Sequence, residues 1–103
     1  MRVEGPGRAE LVFTRRDGEE RRMEVFDFEG PGVLGAMHNL DASIESFARA
    51  CFNYALDVGQ DLWFGTKDTV SKTYDQRFKA VFEEIFENEY RDRFGKAGIE
   101  FFY

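Results

Sequence analysis

Leu62-Trp63-Phe64-Gly65-Thr66-Lys67-Asp68-Thr69-Val70-Ser71-Lys72-Thr73-Tyr74-Asp75-Gln76-Arg77-Phe78-Lys79 changes texture twice. Leu62-Trp63-Phe64 is an apolar run with the length of a buried strand. Gly65 to Thr69 is small, polar and charged, and reads as a loop. Tyr74, Phe78, Val81, Phe82, Ile85 and Phe86 then recur at helical spacing. They predict a helix that starts near Thr69 or Asp75 and runs to Phe94, closed by Gly95 and Gly98. Strand, loop and helix in that order are the repeating step of α/β folds. Ile99-Glu100-Phe101-Phe102-Tyr103 reads as the start of a further strand.

Upstream, Ile44, Phe47, Ala48, Cys51 and Ala55 mark an amphipathic helix, widened by Phe52 and Leu56. Asp41 is its expected N-cap, and Gly59 is placed to end it after Val58. Ala9 to Thr14 alternates, with Ala9, Leu11 and Phe13 on one face. Arg21 to Phe28 alternates imperfectly. Asp17-Gly18 between them is a strong turn signal, so the two runs predict a β-hairpin. Gly30-Pro31-Gly32 breaks the pattern, and Val33 to Met37 reads as a third strand. The expected order is β-β-β-α-β-α-β. The fold class is α/β, or α+β as an isolated piece, with two units at residues 1–40 and 41–103.

The chain has 103 residues, with 20 acidic against 14 basic ones and a formal charge of −6. That balance argues against nucleic acid as a partner. No apolar run approaches the ~20 residues of a membrane span. No apolar signal segment opens the chain, and one cysteine, Cys51, cannot pair internally. Both point to a reducing, cytoplasmic setting. Twelve Phe in so short a chain exceed what a small core needs. Phe13, Phe26, Phe28, Phe101 and Phe102 are candidates to meet a second subunit or further parts of a longer fold.

Several constellations could carry chemistry. Gly30, Gly32 and Gly35 spell G-x-G-x-x-G between a strand and a helix, as in a dinucleotide-binding turn. In such a turn the pyrophosphate sits on the helix N-terminus, whereas this helix starts six residues past Gly35. A glycine-rich bend is the simpler reading. His38 with Cys51 or Asp41 could be drawn as a metal or nucleophile pair, but Cys51 lies on the apolar helix stripe. Arg15-Arg16 and Arg21-Arg22 are offset by Asp17, Glu19, Glu20 and Glu24. Glu83 and Glu87 sit one helical turn apart on a charged face. Lys67 follows a buried strand, where α/β proteins place chemistry. By its surroundings alone it is a solvated lysine.

Gly65-Thr66-Lys67-Asp68-Thr69 through Tyr74-Asp75-Gln76-Arg77-Phe78-Lys79 resembles the Ser-Thr-Lys-Asn-Thr…Lys-Tyr-Asp-Gly-Arg-Phe-Lys segment of NADP-dependent isocitrate dehydrogenases of the homodimeric, eukaryotic-like type. Val81 to Phe86 and Tyr90 are similar to the helix that follows in that family. Ala97-Gly98-Ile99 is similar to the approach to its next strand. Ser43-Ile44-Glu45-Ser46-Phe47-Ala48 resembles the preceding helix, and Gly5-Pro6-Gly7 and Asp17-Gly18 resemble the family's hairpin. The resemblance covers nearly the whole chain but only a middle slice of the family's longer subunits.

It implies a fragment of the isocitrate/isopropylmalate dehydrogenase-like fold. Residues 1–40 correspond to the clasp hairpin that joins two subunits, and 41–103 to part of the small α/β domain. By position, Lys67 corresponds to the catalytic lysine and Thr69 to a threonine that contacts substrate. The family oxidises the C2 hydroxyl of isocitrate, passes hydride to NADP+ and releases CO2 to give 2-oxoglutarate. A lysine there relays the hydroxyl proton, and a neighbouring cation eases release of its own. The implied cofactors are NADP and Mg2+ or Mn2+, with ligands for neither in this chain. The implied partners are a second subunit through the clasp and isocitrate in the full-length enzyme. Gly65 and Asp68 depart from the family's Ser and Asn, and Gln76 from its Gly. Asp68 sets a negative charge beside Lys67, which opposes proton release. The isolated chain is expected to be inactive. The alternative is a non-catalytic dimerisation module derived from the same enzyme.

Overall fold

The computed structural model describes residues 1–103, which divide into two compact units, Met1–Met37 and His38–Tyr103. In the first, β2 (Gly7–Thr14) pairs antiparallel with β3 (Glu20–Phe28), forming the expected hairpin. Gly18 takes a φ of 94°, a left-handed conformation that glycine adopts without steric cost. The Glu19 N–H donates to Asp17 Oδ1 at 3.0 Å and locks the turn.

The imperfect alternation of the second strand has a structural cause. Ala9 pairs with Phe26, but Glu10 pairs with Glu24, so Val25 is the extra residue of a β-bulge. The bulge sorts the hairpin into two faces. Ala9, Leu11, Phe13, Met23, Phe26 and Phe28 share one with a single charged residue, Arg21. Arg8, Glu10, Val12, Arg22, Glu24 and Asp27 share the other. On the charged face the facing Glu10 and Glu24 are bridged by Arg8, at 3.0 and 3.9 Å, and Arg22 reaches Glu10 at 3.2 Å.

The third strand is shorter than expected, and its partner was missed in the sequence. β4 spans only Gly32–Val33 and pairs with β1 (Arg2–Val3). The Leu34 N–H still reaches the Met1 carbonyl at 2.9 Å, but Gly35 to Met37 form no strand. The Met1 amine donates in return to the Leu34 carbonyl at 2.7 Å, so the pairing runs one step past β1 and stops there. A two-residue strand leaves too little alternation to be seen in sequence.

In the second unit, α1 (Asp41–Val58) and Gly59 stand as expected. Gly59 is left-handed at φ 66°, and its N–H caps the Ala55 carbonyl. The N-terminus differs. Leu40 is the capping residue with no side-chain bond, and Asp41 is the first helical residue. Its carboxylate instead receives two hydrogen bonds from Arg77, at 2.9 and 2.7 Å.

The second helix begins later and is not one regular helix. α2 (Lys72–Ile85) passes into a π-helical turn, Phe86–Tyr90, and then α3 (Arg91–Ala97). Gly95 lies inside α3, and Gly98 alone closes it at φ 70°. The wide turn follows from the core. Steps of four residues drift by about 40° on an ideal helix. Phe86, Tyr90 and Phe94 are four apart, and all three bury against one ring. An inserted residue takes up the drift.

That ring is Phe52, which has no exposed surface. Its centroid lies 5.6 Å from Phe82 and Phe86, 5.0 Å from Tyr90, 5.7 Å from Phe94 and 5.0 Å from Phe101. Phe101 is half-buried and packs against this core. Ile44, Ala48, Ala55, Val81, Ile85 and Ile99 complete the core. The Tyr90 hydroxyl donates to Asn53 Oδ1 at 2.8 Å, so burying it leaves no polar group unpaired. β5 (Leu62–Trp63) pairs parallel with β6 (Phe101–Phe102). No helix is long and apolar enough to cross a membrane.

Candidate functional site

The loop between β5 and α2 carries both site residues expected from the sequence. It leaves the sheet through Phe64, whose ring stacks on Phe82 at 4.0 Å. The Phe64 N–H donates to the Phe102 carbonyl at 2.9 Å. This fixes the root of the loop in the aromatic core.

Beyond that root, Lys67 and Thr69 are both exposed. No ion pair or hydrogen bond engages the Lys67 amine. Its neighbours are held more firmly. Thr66 Oγ1 and the Tyr103 hydroxyl share a hydrogen bond of 2.6 Å. Lys79 Nζ lies 4.5 Å from the centre of the Tyr103 ring, a cation–π contact. On the far side, the Asp68 N–H donates to Asp75 Oδ2 at 2.8 Å. Asp68 is the one non-glycine residue with positive φ, at 47°. That conformation costs about 1 kcal/mol for a side-chain-bearing residue, least for Asp and Asn. Asp68 Oδ1 is buried and has no partner. A lysine ammonium on such a loop can give up a proton and attract an anionic ligand, and the amine it leaves can take a proton back.

The other candidates do not assemble. No group of three or more His, Cys, Asp or Glu side chains stands together as a metal site. His38 is exposed and Cys51 half-buried. Desolvation pushes the Cys51 thiol above its ordinary value, as for a packed core cysteine. Asp41 is taken by Arg77, and Glu87 by Arg91. A Cβ would meet nothing at Gly30 or Gly35, and at Gly32 only the Phe28 ring at 2.9 Å. Only Gly32 is pressed, by Phe28, while Gly30 and Gly35 are open and α1 starts six residues beyond Gly35. The residues present fit neither a dinucleotide phosphate nor a metal ion.

No family model matches the chain. It is 48% identical over 99 residues to the cytoplasmic NADP isocitrate dehydrogenase of Dictyostelium discoideum, covering 94% of this chain and 24% of that enzyme. Against the NADP isocitrate dehydrogenase of Sphingobium yanoikuyae it is 44% identical over 99 residues, covering 96% and 24%. Against the mitochondrial enzyme of Sus scrofa it is 43% identical over 98 residues, covering 94% and 23%. The chain spans about a quarter of the length of these relatives. Their compartments range from cytoplasm to mitochondrion and, in Arabidopsis thaliana, chloroplast. Over nearly its whole length, therefore, the chain is a homologue of one segment of the NADP-dependent isocitrate dehydrogenases.

Proposed function

We propose that the chain supplies the lysine loop and the clasp hairpin of an NADP-dependent isocitrate dehydrogenase. Lys67 is the catalytic residue, relaying the proton that leaves the C2 hydroxyl of isocitrate, and Thr69 contacts the substrate. The observation that carries this reading is the exposed, unpaired Lys67 amine on a loop braced on both sides. A lysine merely covering the surface needs no such bracing.

The hydride acceptor and the divalent cation belong to parts of the site that these residues do not build. On this reading the 103-residue chain does not oxidise isocitrate by itself. The residues from 1 to 40 act as the clasp, and 41 to 103 as part of the small α/β domain. The partner for the hairpin is a second subunit. The support is its sorted surface: Leu11, Phe13, Met23 and Phe26 share one face and are 51 to 67% exposed, while ion pairs occupy the other face. An antiparallel sheet commonly has one solvated face, but its apolar face is normally covered. A cytoplasmic setting is part of the same proposal, supported by the unpaired Cys51 and by the cytoplasmic Dictyostelium relative.

The test is NADPH absorbance on mixing isocitrate, Mg2+ and NADP+ with the purified chain. No NADPH is expected. Turnover by the chain alone would overturn this division of labour.

A further inference from the structure

The two braces on the lysine loop lie on either side of Lys67, and each joins it to a different element. Thr66 is tied to Tyr103, just after β6, and Asp68 is tied to Asp75, in the first turn of α2. Asp68 adopts φ 47°, where an ordinary residue stays only if its surroundings hold it. Its N–H needs an acceptor in that conformation, and the Asp75 carboxylate is the one that meets it. Releasing this bond frees residue 68 to return to negative φ, which turns the chain at Lys67 and at Thr69 together. The Tyr103 ring is in turn held under Lys79. The aromatic root at Phe64 cannot do this work, because it fixes the loop only before Gly65.

We infer that Asp75 and Tyr103 are positioning residues that set the direction of Lys67 and Thr69. Asp75 works by accepting the Asp68 N–H, and Tyr103 by holding Thr66. The role of this placement in turnover rests on the assignment of Lys67 as the catalytic residue, but the clamp itself is testable without activity.

The clamp is tested in the full 103-residue chain by amide exchange and by the intraresidue N–H to Hα NOE of Asp68. In the native chain the Asp68 amide is protected and a strong NOE reports its positive φ. Asp75→Ala removes both signatures, while Asp75→Asn, which keeps an acceptor oxygen, restores them. Tyr103→Phe loosens the Thr66 side and leaves the Asp68 amide protected. The melting temperature is compared for all three. An Asp68 amide unchanged by Asp75→Ala would overturn the inference.

The consequence for turnover is read in a chimera that carries this chain in place of the matching segment of the Dictyostelium enzyme. Asp75→Ala lowers kcat by up to about a hundredfold, with little change in the KM for isocitrate, and Asp75→Asn recovers it. Equal kcat in Asp75→Ala and the parent chimera would overturn the positioning role. Loss of the Asp68 signatures together with a fully active Lys67→Ala chimera would instead contradict the catalytic assignment and leave the clamp standing.

Discussion

The guanidinium of Arg49 on α1 grips the carboxylate of Glu89, in the π-helical turn, with hydrogen bonds of 3.1 and 2.8 Å. The pair joins the two long helical elements outside the aromatic core. It holds Glu89 below its ordinary value of 4.5, mainly through the hydrogen bond. Arg77 likewise holds Asp41 below 3.8. Both carboxylates lie at the surface, so each contribution is small and sensitive to salt.

The sign of the pH dependence follows. A carboxylate depressed in the folded state adds stability above its unfolded value and loses it as pH falls through the folded one. The urea midpoint should therefore owe nothing to this pair's titration between pH 7 and about pH 5. It should decline below pH 4.5. Arg49→Met should flatten that decline, as should high salt. Midpoints measured against pH for both chains decide the matter.

Phe52 should be the least replaceable core residue. It contacts five other aromatic rings and has no exposed surface. Phe52→Ala should cost about 3–5 kcal/mol. A core in so small a unit rarely supplies more than that. Loss of the cooperative melt in far-ultraviolet circular dichroism is the expected outcome. Tyr54→Ala, two residues on and 68% exposed, should leave stability within about 0.5 kcal/mol.

The hairpin should drive self-association through one face only. Phe13→Ser with Met23→Ser should shift the chain toward monomer in light scattering. Val12→Ser, on the charged face, should leave the association unchanged. A chain that is monomeric throughout the accessible concentration range would contradict the clasp assignment.

Cys51 should behave as a packing residue. Burial raises its thiol above 9.0, so little thiolate forms near neutrality. Iodoacetamide at pH 8 should modify the folded chain about tenfold more slowly than the urea-unfolded chain. Equal rates would show that the side chain is open to solvent.

Elements with long periodic signals were readable from sequence, and short or composite ones were not. Ile44 to Ala55 followed by Gly59 located α1 to its last residue, because eighteen residues repeat one stripe and end on a left-handed glycine. Asp17-Gly18 located the hairpin turn. Arg2–Val3 was missed because two residues carry no alternation. Val33–Met37 was overextended because an apolar run does not reveal how much partner strand awaits it. The π-helical turn escaped because it serves contacts between Phe52 and residues far along the chain. At the candidate site, the run around Lys67 carried the family resemblance, while composition did not. The bracing by Asp75 and Tyr103 was not legible there. Both contacts depend on how the loop folds back against α2 and the end of β6.

The most direct test of the central claim is isocitrate-dependent NADPH formation by the chimera in which this chain replaces the matching segment of the Dictyostelium discoideum relative. The parent chimera should turn over, and Lys67→Ala should lower kcat by about 10²–10⁴-fold, the range of general acid–base catalysis. A Lys67→Ala chimera as active as its parent would contradict the account.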